Sequence, residues 1–120
     1  MGSYPVIIGG SADVVGTPIK IGTITVNGTT YNKYRKILTS IINYDSSNTY
    51  NFAHGISNIH GVLSLTGVVS VSGTYYFIPC VSSVLDYQIY MNINSTNISL
   101  GAGNQRRGNN CELKVIVEYY

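Results

Sequence analysis

Few residues in this chain are able to do chemistry. Its five carboxylates are Asp13, Asp45, Asp86, Glu112 and Glu118, accompanied by two histidines, His54 and His60, and two cysteines, Cys80 and Cys111. Cleaving a glycosidic bond takes two carboxyl groups facing each other across it. Glu112 and Glu118 stand on the polar face of an alternating run, and Asp13 lies in a Gly- and Pro-punctuated lead-in. Only Asp45 and Asp86 are left to meet in a cleft. A Cys or Ser nucleophile needs a base and a group to orient that base. Neither cysteine sits in such a motif, and no Gly-x-Ser-x-Gly elbow is present. Gly101-Ala102-Gly103-Asn104 precedes no helical pattern, so no helix N-terminus is aimed at a phosphate. His54-Gly55 and His60-Gly61 read as turn or core positions whose ring nitrogens bond backbone carbonyls. Metal binding by the same imidazoles is the sharper alternative. It lacks Cys or acidic ligands in register, although a three-fold axis would gather three copies of one His. The residue types therefore predict a chain that is not an enzyme and holds no metal or cofactor.

What remains is binding. Eleven tyrosines against two phenylalanines and no tryptophan favour rings that offer both a flat apolar face and a hydroxyl. Most of these rings are expected inside, with their hydroxyls on backbone groups. Tyr44, Tyr50, Tyr75 and Tyr76 are the exceptions, because they adjoin loops rich in Asn, Ser and Thr. Asn104, Arg106 and Arg107 join them from the longest polar stretch, residues 101–110, and the arginines suit phosphate or carboxylate on a wall polymer. Lys33, Arg35 and Lys36 read as a solvated strand face in preference to an anion site.

The elements that must position these groups are strands. Only 10% of the residues are charged while 44% are hydrophobic. Asn, Ser, Thr and Gly supply the surface polarity, and these residues compete with helix hydrogen bonds and favour turns. So little ionic cover suits a chain that assembles with its own copies or sits outside the cytosol. A net charge of +2 with dispersed basic residues excludes the phosphate-tracking stripe of a nucleic-acid binder. No apolar run reaches membrane-spanning length, and the opening residues carry no signal-peptide pattern. Cys80 and Cys111 read as two separate thiols in preference to a bridge.

Residues 1–18 form an extended lead-in arm, with Met1-Gly2-Ser3 either native or a cloning remnant. Regular alternation begins at Ile19. Asn27-Gly28 between β-rich runs predicts a two-residue type I′ hairpin, since both positions need positive φ. Residues 43–51 read as a loop or ragged edge. Val62 to Val71 is apolar on both faces and predicts a strand covered on both sides, inside a sandwich or against another subunit. Ser72-Gly73-Thr74 turns the chain into a strand that Pro79 ends. Asp86 to Ile93 alternates, and Asn94-Ser95 makes a second hairpin. Cys111, Leu113, Val115, Val117 and Tyr119 share one face of a closing strand fastened inside a sheet, with Glu112, Lys114 and Glu118 on the other. No helix is predicted. The pattern is all-β, a single antiparallel β-sandwich over residues 19–120.

Four segments carry a further likeness. They are Val26-Asn27-Gly28 followed by Tyr34-Arg35-Lys36, then Ala53-His54-Gly55-Ile56-Ser57-Asn58-Ile59, then Tyr90-Met91-Asn92-Ile93-Asn94-Ser95-Thr96-Asn97-Ile98, then Val115-Ile116-Val117-Glu118-Tyr119. In that order, over roughly residues 18–120, the chain resembles the C-terminal receptor-binding head or tip domains of tailed-bacteriophage tail fibres and related virion fibre proteins. The resemblance implies a small jelly-roll-like sandwich, trimeric at the outer end of a fibre, that adheres to host-surface polysaccharide and performs no chemical step. It implies a virion location, with synthesis in the host cytoplasm and release by lysis, and attachment to other virion proteins through the arm. A structural head-fibre or decoration protein without receptor binding is the alternative.

Overall fold

The computed structural model of the chain describes residues 13–43, 49–80, 82–103, 106 and 108–120. Eight strands follow in order: β1 (Ile19–Val26), β2 (Thr29–Ile42), β3 (Thr49–Ala53), β4 (Val62–Val71), β5 (Thr74–Ile78), β6 (Ile89–Ile93), β7 (Asn97–Ala102) and β8 (Cys111–Tyr119). They form two antiparallel sheets, one ordered β1-β2-β8-β4-β5 and the other β3-β7-β6. Helical geometry among the described residues is confined to a 3-10 turn over Leu85–Tyr87 and to Arg106. The all-β reading holds.

Local chemistry sets the turns. Asn27 and Gly28 take φ of 49° and 82°, as the tight β1–β2 hairpin requires, and Ser72 and Gly73 repeat that geometry at 51° and 82° between β4 and β5. The β6–β7 hairpin turns on a side chain instead: Asn94 Oδ1 accepts the N–H groups of Thr96 at 2.9 Å and Asn97 at 2.7 Å. The strand ending the chain lies in the middle of the larger sheet, hydrogen-bonded to β2 on one side and β4 on the other. Its alternation is realised: Cys111, Leu113, Val115, Val117 and Tyr119 are buried, while Glu112, Lys114 and Ile116 are exposed. Ile98 and Leu100 of β7 and Ile89 of β6 meet them in one core. Each such side chain contributes about 1.5–3 kcal/mol by leaving water.

Several expectations are corrected. Lys36 is not on a solvated face: it is only 7% exposed, and its Nζ donates 2.8 Å to the carbonyl of His54. Strand parity explains this, because Lys36 shares the inward face of β2 with Tyr34 and Leu38, which pack on the core. Thr49 to Asn51 belong to β3, held by pairing with β7 that a local pattern does not reveal. The strand expected from Asp86 begins at Ile89, after the 3-10 turn. Val62 to Val71 is a strand, but in the single chain only one of its faces is covered. Val69 and Val71 lie in the core, whereas Thr66 and Val68 open onto the outer face beside Tyr75, Phe77 and Ile116. Phe77 is 75% exposed there.

Both thiols are free, Cys111 buried and Cys80 half-buried. Residues 1–12 of the expected arm lie outside the described residues. Its end rests on β2: Gly16 N–H donates 2.7 Å to the Ile37 carbonyl, and Arg35 holds Asp13 through bonds of 3.0 and 3.1 Å.

Candidate functional site

The β1–β2 hairpin is longer than the strands beside it. Pairing of β2 with β8 ends at Tyr34 opposite Tyr119, so residues 29–33 project past the end of β8. Tyr31 stands on this overhang. The chain leaving β3 crosses toward it through residues 54–61 and fixes itself at both ends.

At the first end, the buried His54 ring accepts the Ile56 N–H on Nδ1 at 3.0 Å, and its Nε2 lies 2.9 Å from the Asn94 carbonyl. An Nδ1 that accepts and an Nε2 that donates define the neutral Nε2–H tautomer. At the other end, His60 N–H and Gly61 N–H donate to the Tyr120 carbonyl oxygen at 2.7 and 3.1 Å, and Tyr120 N–H donates to Gly61 at 3.0 Å. Gly61 is needed for this approach, since a Cβ on it would fall 2.6 Å from the Tyr120 ring. Asn58 takes a left-handed φ of 57° at the bend between these two ends.

The result is a groove of about 420 Å³, within the range of small-ligand sites. Tyr31 lines it, with the His60 ring 4.8 Å away at a tilt of 41° and the Tyr120 ring 5.1 Å away at 48°. Tyr34 and Tyr119 stack at 5.6 Å and close the inner end. Burial, and secondarily the Tyr34 phenol, hold the Tyr119 hydroxyl above the ordinary tyrosine value. Polar groups of Asn32, Ser57 and Asn58 line the rest. Aromatic faces beside amides and hydroxyls can hold a ligand that has both an apolar face and rim hydroxyls, such as a sugar.

Of the residues expected to bind, the four that are described, Tyr50, Tyr75, Tyr76 and Arg106, do not all converge. Tyr44, Asn104 and Arg107 lie outside the described residues. Tyr50 is half-buried on β3, its ring 6.3 Å from Phe52. Tyr75 lies on the outer face of the larger sheet. Tyr76 and Arg106 are brought together: the guanidinium sits 4.5 Å over the Tyr76 ring and 4.8 Å over Tyr87. Residue reading missed the rings that converge, Tyr31, Tyr34, His60, Tyr119 and Tyr120. Two signals mark them, a tyrosine pair early in a hairpin strand and a Tyr-Tyr closing the strand that pairs with it. His60 itself is no core residue but an exposed wall of the groove.

Among the described residues the acidic side chains are paired with cations. Asp45 and the side chain of Asp86 lie outside the described residues. Asp13 and Glu118 both contact Arg35, at 3.0 and 3.8 Å, and Glu112 faces Lys114 at 3.6 Å. Among the described residues no three His, Cys, Asp or Glu side chains gather as a metal site would require. No protein-family model matches the chain, and neither a curated protein nor a solved structure matches it.

Proposed function

We propose that this chain is the head domain of a bacteriophage virion fibre and adheres to host-surface glycan without chemical conversion. The observation that carries this reading is the tyrosine-walled groove between the β1–β2 overhang and the segment of residues 57–60. The motif resemblance supplies the virion setting, with synthesis in the host cytoplasm, release by lysis, and residues 1–18 attaching the head to other virion proteins. The arrangement of β2, β8 and β4 in one sheet with β3 and β7 in the other supports a jelly-roll-like sandwich.

A homotrimer is part of this proposal. The outer face of the larger sheet carries a second groove, of about 460 Å³, lined by Val68, Tyr75, Phe77 and Ile116 with Glu112 and Lys114 among them. Exposed apolar surface of this kind marks contact with another protein surface. The same face favours the second reading, a structural head-fibre or decoration protein that assembles without binding a receptor.

Adsorption of the labelled protein to host cells and to their purified wall polysaccharide separates the readings. Saturable retention with the polymer recovered at unchanged length supports the adhesin. Retention by neither, from a protein that light scattering shows to be a trimer, supports the structural reading. Shortening of the polymer sinks the non-enzymatic claim.

A further inference from the structure

Resting on the adhesin reading, we propose that the Tyr31 groove takes a neutral glycan, a run of uncharged hexose or N-acetylhexosamine units, and not an anionic wall polymer. Among the described residues, no Asp, Glu, Lys or Arg side chain lines the groove. A buried phosphate or carboxylate must exchange its hydration for a fixed cation or several strong donors, or its desolvation opposes binding.

Two cations of β2 are committed elsewhere. Arg35 holds both oxygens of Asp13 and lies 3.8 Å from Glu118. Lys36 is buried and donates to the His54 carbonyl. Lys33 stays beside Gly22 of β1, its Cε 3.7 Å from where a Cβ there would stand. Arg106, suited by type to an acidic polymer, lies between Tyr76 and Tyr87 instead.

What the groove does present fits an uncharged pyranose. Tyr31 packs against the His60 and Tyr120 rings at tilts of 41° and 48°, so the three present one aromatic cluster to the groove they line. Asn32, Ser57 and Asn58 stand at the rim, able to donate to and accept from hydroxyl or acetamido groups.

The test uses the full chain on an array of neutral hexose and N-acetylhexosamine oligosaccharides beside hyaluronan and poly(glycerol phosphate), with hits titrated by calorimetry. Tyr31→Ala and His60→Ala are compared with the parent, each checked for an intact amide spectrum. His60 is exposed, so its variant keeps the test open if Tyr31→Ala does not fold. The expected result is neutral-glycan binding that changes less than about twofold between low salt and about 1 M NaCl. It should fall about tenfold in either variant, as loss of a stacking ring predicts. Binding confined to acidic polymers, or falling steeply with salt, overturns the neutral class and leaves adhesion standing. Neutral binding untouched in the folded variants overturns the site. Binding to no glycan and to no host cell overturns the adhesin reading together with this inference.

Discussion

His54 spans the molecule to Asn94: its Nε2–H meets the Asn94 carbonyl at 2.9 Å while Nδ1 takes the Ile56 N–H. One ring thereby joins the segment after β3 to the β6–β7 turn. Its own carbonyl receives the Lys36 ammonium, so three pieces of chain close on a residue that is 1% exposed. His54→Ala leaves a cavity and two backbone groups without their partner. The variant is expected to lose about 3 kcal/mol in denaturant unfolding. A loss below about 1 kcal/mol would show that water or a rearranged loop replaces the ring.

Gly61→Ala tests the groove without substituting a residue that lines it. The new Cβ would stand 2.6 Å from the tip of the Tyr120 ring, so the ring must swing while the backbone pairing stays. Unfolding free energy should drop by about 1 kcal/mol. Under the proposed adhesion, glycan affinity should drop about tenfold, since a ring that lines the groove has moved. A folded variant with undiminished affinity would remove Tyr120 from the binding surface.

Arg106 is expected to act as a clamp. Its guanidinium is within 4.8 Å of two ring centroids, Tyr76 on β5 and Tyr87 in the 3-10 turn, and so ties the larger sheet to the approach to β6. Arg106→Ala should lower stability by about 1–2 kcal/mol, with Arg106→Lys intermediate because an ammonium keeps the charge but loses the planar stack. Equal stability of all three proteins in thermal unfolding would refute the clamp.

Tyr119 makes a prediction in alkali. Burial first, and the Tyr34 phenol second, raise its value in the folded state. The folded chain therefore holds this proton longer than the unfolded one. The stability it contributes is whole below the unfolded value of about 10 and is lost as pH rises through the higher folded value. Ultraviolet titration should show one late phenolate that is missing in Tyr119→Phe. Above about pH 10 the unfolding free energy of the parent should fall more steeply with pH than that of the variant. Identical slopes would mean the ring is solvated.

Much of the fold was legible because its signals are local. Asn27-Gly28 and Ser72-Gly73 announce their turns through backbone conformations few residues tolerate, and the alternation from Cys111 to Tyr119 names its buried face outright. The candidate site was not legible in the same way. Tyr31, His60 and Tyr120 are far apart in the chain and meet only because β8 pairs with β2 and β4 at once. Lys36 misled for a related reason: a cation on a polar-looking strand is drawn inside by a carbonyl eighteen residues on, which no window around it contains. Thr49 to Asn51 lacked periodicity, and their strand exists by virtue of a partner fifty residues away.

The placement of β8 carries one more consequence. The hairpin over residues 19–42 and the hairpin over residues 62–78 share no hydrogen bonds with each other within the larger sheet; each is bonded to residues 111–119. A ribosome therefore releases both halves of that sheet before supplying the piece that unites them. Until then two ribbons with unsatisfied edges must wait in solution, and the domain acquires its shape only after synthesis of the segment is over, by a slow search dominated by distant pairings.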